Sequence, residues 1–172
     1  MTPVKLNIGC GLDYRKGFIN IDGSAALPRI DQVIDFTTTK LTSTYLQESV
    51  DYILCNDFLE HHFHWEAVDL LHQFFCVLKF GGKAEIRVPD CEYILKAVNE
   101  PVEKRLRWLY GGQDIQQSKM DFSRIEYPQF FCHKYGWTRD RLTKDLVLVG
   151  FNNLRFEQLN SNVVVHADKT CI

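Results

Sequence analysis

The chain alternates short runs of apolar residues with longer segments in which apolar residues recur at helical spacing. The short runs are rich in Ile, Leu and Val, and most of them stop at Gly, Asp or Asn, which is typical of buried strands. We predict strands at residues 5–8, 18–22, 32–35, 50–55 and 84–88. Because helical segments separate strands, the pattern indicates an α/β protein with a mostly parallel, doubly wound sheet.

Two segments have the spacing of amphipathic helices. From Ala67 to Leu78, apolar residues recur every three or four positions along one face. We predict that this helix ends at Gly81-Gly82, because glycine readily adopts the left-handed conformation found at helix ends. The second helix begins after Thr138, a favourable N-cap residue, and ends at Gly150.

Both ends of the chain depart from the regular alternation. Segments 154–159 and 162–165 predict a C-terminal antiparallel hairpin that turns at Asn160-Ser161. Near the start, only residues 10–17 separate the first two strands, whereas a parallel crossover usually needs about a dozen residues or more. We therefore expect a connection with roughly one turn of helix at most.

The composition fits one folded domain over residues 1–172. Hydrophobic residues make up 45% and charged residues 24%, which excludes a disordered or collagen-like chain. No apolar run approaches the roughly 18 residues that span a bilayer, and the first residues lack the apolar stretch of a signal peptide. The six scattered cysteines form no CxxC pair, so we expect reduced thiols and a cytoplasmic protein.

The charge is nearly balanced, at a net −2. Nine Lys and Arg against five Asp and Glu give residues 101–144 a local basic excess. A local excess of this size produces no global positive field, so we expect neither a nucleic-acid nor a membrane partner.

Candidate ligand-binding residues follow the predicted strands, because doubly wound sheets bind ligands beyond the carboxyl ends of their strands. Gly9-Cys10-Gly11 follows the first strand, and its glycines allow a ligand to lie against the backbone. Asp22 ends the second strand, and its two oxygens match the two hydroxyls of a ribose. Asp35 ends the third strand, and Asn56-Asp57 follows the fourth. The pattern favours a nucleoside-bearing ligand over a plain glycine turn with a solvated acid.

A nicotinamide cofactor fits this pattern less well. The dinucleotide motif GxGxxG has a third glycine where this chain has Tyr14, and its acid lies about 20 residues further on. Here Asp22 follows Gly11 by only 11 residues. A nicotinamide oxidoreductase therefore stays the less favoured alternative.

Five motifs show a family resemblance: Leu6 to Gly11, Lys16 to Asp22, Leu59 to His61, Val77 to Lys83, and Val88 to Asp90. They resemble class I S-adenosylmethionine-dependent methyltransferases, above all the small, type 11-like predicted enzymes associated with cell-surface glycan or other small-molecule modification. The resemblance extends from Lys5 to about Phe151, with one departure at Phe80, where the family most often has proline. It implies a three-layer, Rossmann-like fold and methyl transfer to a small-molecule or glycan oxygen or nitrogen.

The resemblance also implies a cofactor site for S-adenosylmethionine, with S-adenosylhomocysteine as the product. Its residues follow the first four strands: Gly9, Cys10, Gly11, Asp22, Asp35, Phe36 and Asn56. In this assignment the two glycines and Cys10 line the methionine part, Asp22 holds the ribose, and Asp35 with the Phe36 backbone faces the adenine. Asn56 meets the methionine ammonium or lies beside the methyl group. Oxygen-rich surroundings suit the cationic ammonium and sulfonium.

The candidates for a catalytic base are Asp57, Glu60 and His61. A base is needed only when the acceptor is a hydroxyl or a protonated amine, since the sulfonium is already an activated methyl donor. A structural role for His61 at the start of a helix is the alternative.

A metal site is not expected. His61, His62 and His64 with Cys55 could suggest one, but structural zinc usually needs two paired ligand clusters. The chain has no second His/Cys pair at that spacing.

Residues 101–137 interrupt the alternation and are expected to form a lid over the acceptor site. Tyr110-Gly111-Gly112-Gln113, followed later by a histidine, resembles the same family. We expect the acceptor to bind Asp90, Gln113 and His133. The aromatic and basic residues of the segment suit a planar, sugar-bearing or anionic acceptor; among them are Trp108, Lys119, Arg124 and Tyr127. The alternative is that the rings pack the lid onto the core and the basic residues form a solvated face.

A non-catalytic protein that binds S-adenosylmethionine or S-adenosylhomocysteine is a further alternative, because the chain is short for the family. The sequence leaves the acceptor and the oligomeric state open.

Overall fold

The computed structural model describes residues 2–113 and 128–170 and contains a seven-stranded sheet in the order β3-β2-β1-β4-β5-β7-β6. The strands are β1 (Lys5–Ile8), β2 (Ile19–Asp22), β3 (Gln32–Val33), β4 (Val50–Asn56), β5 (Leu78–Pro89), β6 (Asn152–Leu159) and β7 (Asn162–Asp168). The first five strands are parallel to one another, whereas β7 pairs antiparallel with β5 and with β6. The Rossmann-like α/β fold with a mostly parallel sheet and a C-terminal antiparallel hairpin is confirmed.

Five α-helices lie in the described residues: α1 (Leu41–Thr44), α2 (His64–Val77), α3 (Cys91–Lys96), α4 (Val102–Tyr110) and α5 (Arg139–Val149). Short 3₁₀ helices cover Leu59–His61 and Pro128–Phe130. Helix α2 contacts both α1 and α5, and its apolar face shares one buried core with one face of the sheet. Phe74 of α2 and Ile53 of β4 are fully buried members of that core.

Helix α5 and the hairpin match the prediction closely. The Thr138 hydroxyl oxygen accepts a hydrogen bond of 3.2 Å from the Arg141 amide, as expected of an N-cap. Gly150 ends the helix in the left-handed conformation, with φ of 111°.

The prediction that α2 ends at Gly81-Gly82 is wrong. The helix ends at Val77, and β5 begins at the next residue, six residues before the predicted strand. Gly81 lies inside β5 with φ of 81°, and its amide donates to the Lys169 carbonyl at 2.7 Å. The strand pairing with β4 shifts between Val50 and Tyr52. The glycine pair therefore forms a bend in a long strand, not a helix end.

The connection from β1 to β2 is as short as expected and contains no helix. The side-chain amides of Asn7 and Asn20, which are buried, take the place of a helix. Asn7 Nδ2 donates to Asn20 Oδ1 at 3.0 Å and to the Asp13 carbonyl at 2.7 Å. Asn20 Oδ1 also accepts the Arg15 amide at 2.8 Å. These bonds satisfy backbone groups that a helix would otherwise pair internally. The next connection, from β2 to β3, also lacks a helix.

No helix among the described residues is long and apolar enough to cross a membrane. The five cysteines in that part of the chain are all free thiols.

Candidate active site at the carboxyl ends of β1 and β4

A cleft opens where the strand order reverses, between β1 and β4. From this point the sheet continues through β2 and β3 on one side and through β5 on the other, which is where doubly wound sheets bind ligands. The cleft encloses about 220 Å³. It is lined by Asn7, Gly9, Cys10, Leu12, Asp13, Asn56, Asp57 and Arg87.

In the turn after β1, position 9 has room for glycine only. Gly9 has φ of 64°, and a Cβ atom there would lie 2.2 Å from the Phe58 ring. Gly11 also has a positive φ, but nothing lies within 4 Å of its Cβ position. Between them, burial raises the pKa of the Cys10 thiol to about 11, so this side chain stays a neutral thiol. The turn therefore leaves backbone accessible beside the cleft.

Asp22 holds this turn in place. Its Oδ2 accepts the Gly11 amide at 2.9 Å, and its Oδ1 accepts the Ser24 amide at 3.1 Å. A carboxylate oxygen has more than one lone-pair site, so these bonds leave capacity for ligand hydroxyls. The acid predicted to hold a ribose thus lies directly against the glycine turn.

Asn56 presents an unpaired acceptor. Its Oδ1 atom is buried and has no hydrogen-bond partner among the described residues, and the residue lines the cleft. A buried acceptor without a donor costs about 1–3 kcal/mol. A ligand with an ammonium or hydroxyl donor at this point would remove that penalty.

Asp35 and Phe36 have different surroundings. Asp35 Oδ1 accepts from the Thr37 amide at 2.9 Å and from the Thr37 hydroxyl at 2.6 Å, which forms a local turn after β3. Phe36 packs edge-on against Phe58 with ring centroids 5.6 Å apart. Because Phe58 also fills the space beside Gly9, this contact links the β3 end to the glycine turn.

Asp57 is ion-paired with Arg87. Arg87 Nε donates to Asp57 Oδ1 at 3.0 Å, and its terminal nitrogen donates to the other carboxylate oxygen. These bonds raise the pKa of the Arg87 guanidinium. The β4–β5 register, which places Asn56 beside Arg87, brings the two side chains together. Arg87 could not be predicted from the sequence, because its partner is set by strand pairing.

Glu60, His61 and His133 form a separate cluster just beyond β4. Glu60 is 1% exposed, and neither carboxylate oxygen has a hydrogen-bond partner in the described chain. Burial raises the pKa of its carboxyl well above the usual range, and the nearby Asp57 raises it further. Glu60 Oε1 lies 3.9 Å from His133 Nε2, and the two imidazole rings are 5.0 Å apart.

Backbone contacts hold this cluster together. The Glu60 carbonyl accepts the Lys134 amide at 2.7 Å, and His61 Nδ1 lies 3.2 Å from the Cys132 carbonyl. Residues 132–134, near the end of the predicted lid, are therefore hydrogen-bonded to Glu60 and His61, which follow β4. The sequence suggested Glu60 and His61 as bases and His133 as an acceptor ligand, and the structure brings all three together.

The neighbouring residues His62 and His64 lie outside this cluster. His62 packs against the Phe58 ring at 4.6 Å, and His64 pairs with Asp145 at 2.8 Å. Cys55 is buried in the core. These three side chains therefore do not share a site with His61.

The other predicted acceptor residues make local contacts. Asp90 is the N-cap of α3, accepting the amides of Glu92 at 3.1 Å and Tyr93 at 3.3 Å. Gln113 Nε2 donates to the Tyr110 carbonyl at 2.8 Å, beside the end of α4. Lys119, Arg124 and Tyr127 lie outside the described residues.

No protein-family model and no curated protein matches the chain. Solved structures do match. A SAM-dependent methyltransferase from Archaeoglobus fulgidus superimposes with a TM-score of 0.65 at 13% identity, over 97% of this chain and 86% of that one. An S-adenosylmethionine-dependent methyltransferase from Mesorhizobium loti gives 0.64 at 13% identity, over 97% and 91%.

A longer protein that also matches is phosphoethanolamine N-methyltransferase 2 from Haemonchus contortus, in complex with S-adenosyl-L-methionine. Its TM-score is 0.60 at 12% identity, over 99% of this chain, and this chain spans 50% of its length. At such identities the likeness establishes the fold. The chain has the fold of the class I S-adenosylmethionine-dependent methyltransferases.

Proposed function

We propose that the protein binds S-adenosylmethionine in the cleft between β1 and β4 and transfers its methyl group to an oxygen or nitrogen of a small-molecule or glycan acceptor. The observation that carries this proposal is the buried, unpaired Oδ1 of Asn56, a residue that lines the same cleft as Gly9 and Cys10. A ligand with a cationic ammonium satisfies that acceptor.

The residues around the cleft fit the parts of such a cofactor. Asp22 has acceptor capacity left for ribose hydroxyls beside the glycine turn. Asp35 and the Phe36 backbone follow β3 and stay the predicted neighbours of the adenine. The cofactor itself supplies an activated methyl group, so the chain mainly has to bind and orient the acceptor.

The acceptor side of the cleft is formed by the chain that leaves β4. His61 and His133 are the polar groups we assign to contact with the acceptor, with Glu60 buried behind them. Asp57 is engaged by Arg87 and acts through the shape and charge of the cleft. We assign residues 101–137, of which 114–127 lie outside the described residues, to a cover over this side, and Asp90 and Gln113 stay predicted acceptor ligands. A cytoplasmic location stays our expectation, based on the free thiols.

The binding step is tested by thermal shift with S-adenosylmethionine, S-adenosylhomocysteine and NAD(P)H. A ligand at 100 times its dissociation constant stabilises by about 2.7 kcal/mol, which raises Tm by several degrees. We expect a shift with the two sulfur nucleosides and none with NAD(P)H. A shift with NAD(P)H alone would overturn the proposal in favour of an oxidoreductase.

Asn56→Leu tests the observation that carries the proposal. The substitution removes the unpaired acceptor and keeps a similar volume, so the free protein should be as stable as before or slightly more stable. Affinity for S-adenosylmethionine, measured by calorimetry, should fall by about tenfold or more. Asp140→Ala, at an exposed acid far along the chain in α5, is the control. Unchanged affinity in Asn56→Leu would contradict the assignment.

Asp22→Ala should also lose most of the affinity, because it removes the ribose acceptor and frees the Gly11 amide. Catalysis is separated from binding by measuring S-adenosylhomocysteine release against a panel of sugar, phenol and amine acceptors. Binding without release on the whole panel would favour the non-catalytic alternative.

A further inference from the structure

We propose that Glu60, His61 and His133 bind one divalent transition-metal ion of the zinc class. Within the described residues, these three side chains place one potential ligand atom each within 4.8 Å of one another. They come from two segments that are 72 positions apart and are joined by backbone hydrogen bonds to the Glu60 carbonyl and by the contact of His61 Nδ1 with the Cys132 carbonyl. Cofactor binding does not use the cluster, whose histidines the proposed function assigns to contact with the acceptor.

The Glu60 carboxylate is the strongest indication. It is 1% exposed and neither oxygen accepts a hydrogen bond in the described chain. Buried carboxylates are otherwise paired with donors or coordinate metals, because an isolated charge is strongly disfavoured away from water. The nearest cationic candidate, His133, lies at 3.9 Å, which is too far for a hydrogen bond. A cation between these side chains would supply the missing charge.

The His61 ring is oriented in the way that metal-ligating histidines usually are. His61 Nδ1 can donate to the Cys132 carbonyl at 3.2 Å, an arrangement that fixes the ring and leaves Nε2 as the lone-pair nitrogen. Atoms bound at about 2.1 Å to a common tetrahedral ion lie roughly 3.4 Å apart. The 3.9 Å separation of Glu60 Oε1 and His133 Nε2 therefore closes with a small side-chain rotation.

The ligand set also indicates the kind of site. Two imidazoles and one carboxylate suit zinc, iron or manganese, and three protein ligands leave coordination positions open, as in catalytic rather than structural sites. Asp57 lines the cleft and precedes Glu60 by three residues, so the ion would sit on the chain that leaves the cleft.

This position identifies the acceptor as a hydroxyl compound, an extension that rests on the proposed function. A divalent cation lowers the pKa of a bound hydroxyl. The acceptor hydroxyl would release its proton to solvent, and its oxygen lone pair would form the bond to the methyl carbon. The carbon–sulfur bond would break with its electron pair moving to sulfur, which leaves a neutral thioether.

Metal binding is tested without any cofactor. Protein stripped with a chelator and kept reduced is titrated with Zn²⁺ by calorimetry and with Co²⁺ by visible absorption. We expect one ion per chain. Glu60→Gln and His133→Ala should each weaken binding by on the order of 100-fold. Glu60→Gln replaces a buried acid by an amide of the same size, so circular dichroism should show an intact fold.

A rival site on the surface of α2 provides the matched control. His72 is exposed, and its Nε2 lies 3.7 Å from Cys76 Sγ, one helical turn away. His72→Ala should leave the affinity unchanged. The proposal is overturned if the wild-type protein binds no ion, if Glu60→Gln binds as tightly as wild type, or if His72→Ala removes the ion.

A separate measurement tests whether the acceptor is a hydroxyl compound. Catechol added to the Co²⁺-loaded protein should change the cobalt absorption in the wild type and have no effect in Glu60→Gln. An unchanged spectrum would refute the hydroxyl acceptor while the ion site stands. The absence of S-adenosylmethionine binding would refute the proposed function without affecting the cobalt titration.

Discussion

At the scale of single residues, Gly9 shows how closely the turn after β1 is packed. Its φ of 64° disfavours any side chain, and the Phe58 ring occupies the place of a Cβ atom. The same ring contacts Phe36 and His62, so a shift of Phe58 would disturb both the end of β3 and the chain after β4.

Gly9→Ala should therefore destabilise the protein by about 1–3 kcal/mol, since it adds backbone strain and displaces a packed ring. It should also abolish the thermal shift with S-adenosylmethionine. Gly11→Ala is the matched control, because its Cβ atom meets nothing within 4 Å and only the strain from φ remains. Equal losses of stability in the two variants would contradict the role of Phe58.

At the scale of elements, the connections between β1, β2 and β3 are too short to contain helices. Polar side chains hold these strands in place instead. Asp31 is the clearest case, because its Oδ2 accepts both the backbone amide and the side-chain amide of Asn20, each at 2.8 Å. The bonds from Asn20 lower the pKa of the Asp31 carboxyl below its usual 3.8.

This lowered pKa predicts a pH-dependent contribution to stability. The contribution is fully present above pH 3.8, the ordinary pKa of the group, and is lost as the pH falls through the lower pKa of the folded state. Asp31→Ala should therefore destabilise at pH 6 and progressively less below about pH 4. Urea unfolding across pH measures the difference in free energy of unfolding.

Thr143→Ala controls for the pH dependence of the fold itself, because it removes an exposed hydroxyl and no titratable group. A difference between Asp31→Ala and wild type that stays constant down to pH 2.5 would show that the carboxylate bonds to Asn20 do not form.

At the scale of the whole molecule, stability should decrease from the centre of the sheet to its edges. Strands β1, β4 and β5 lie in the middle, and their inward residues belong to the core under α2. The edge strands are β3, with two residues, and β6, none of whose residues is buried. Backbone amides at a sheet edge exchange through local openings that expose little buried surface, so these openings cost less free energy.

Hydrogen exchange should show this gradient. Amides of β4 and the 82–89 part of β5 should exchange most slowly, and those of β3 and β6 fastest among the strands. Bound S-adenosylmethionine should add protection at the carboxyl ends of β1 and β4. Exchange in β6 as slow as in β4 would mean that another surface covers this edge.

The amino-acid sequence by itself determined the features that depend on neighbours in the chain. The limits of β1, the N-cap and glycine end of α5, and the turn of the hairpin follow from local propensity and capping, so their residues predict them. The Gly9-Cys10-Gly11 turn was also recognisable, because it needs positive φ angles at the end of a strand.

Only the tertiary structure decided the features that join distant segments. The bend at Gly81 depends on pairing with Lys169, the Asp57–Arg87 ion pair depends on strand register, and Glu60 meets His133 through the folding-back of a long segment. Local preferences do not encode such contacts. They form because burying the shared core offsets the entropy lost when the intervening chain is closed into a loop.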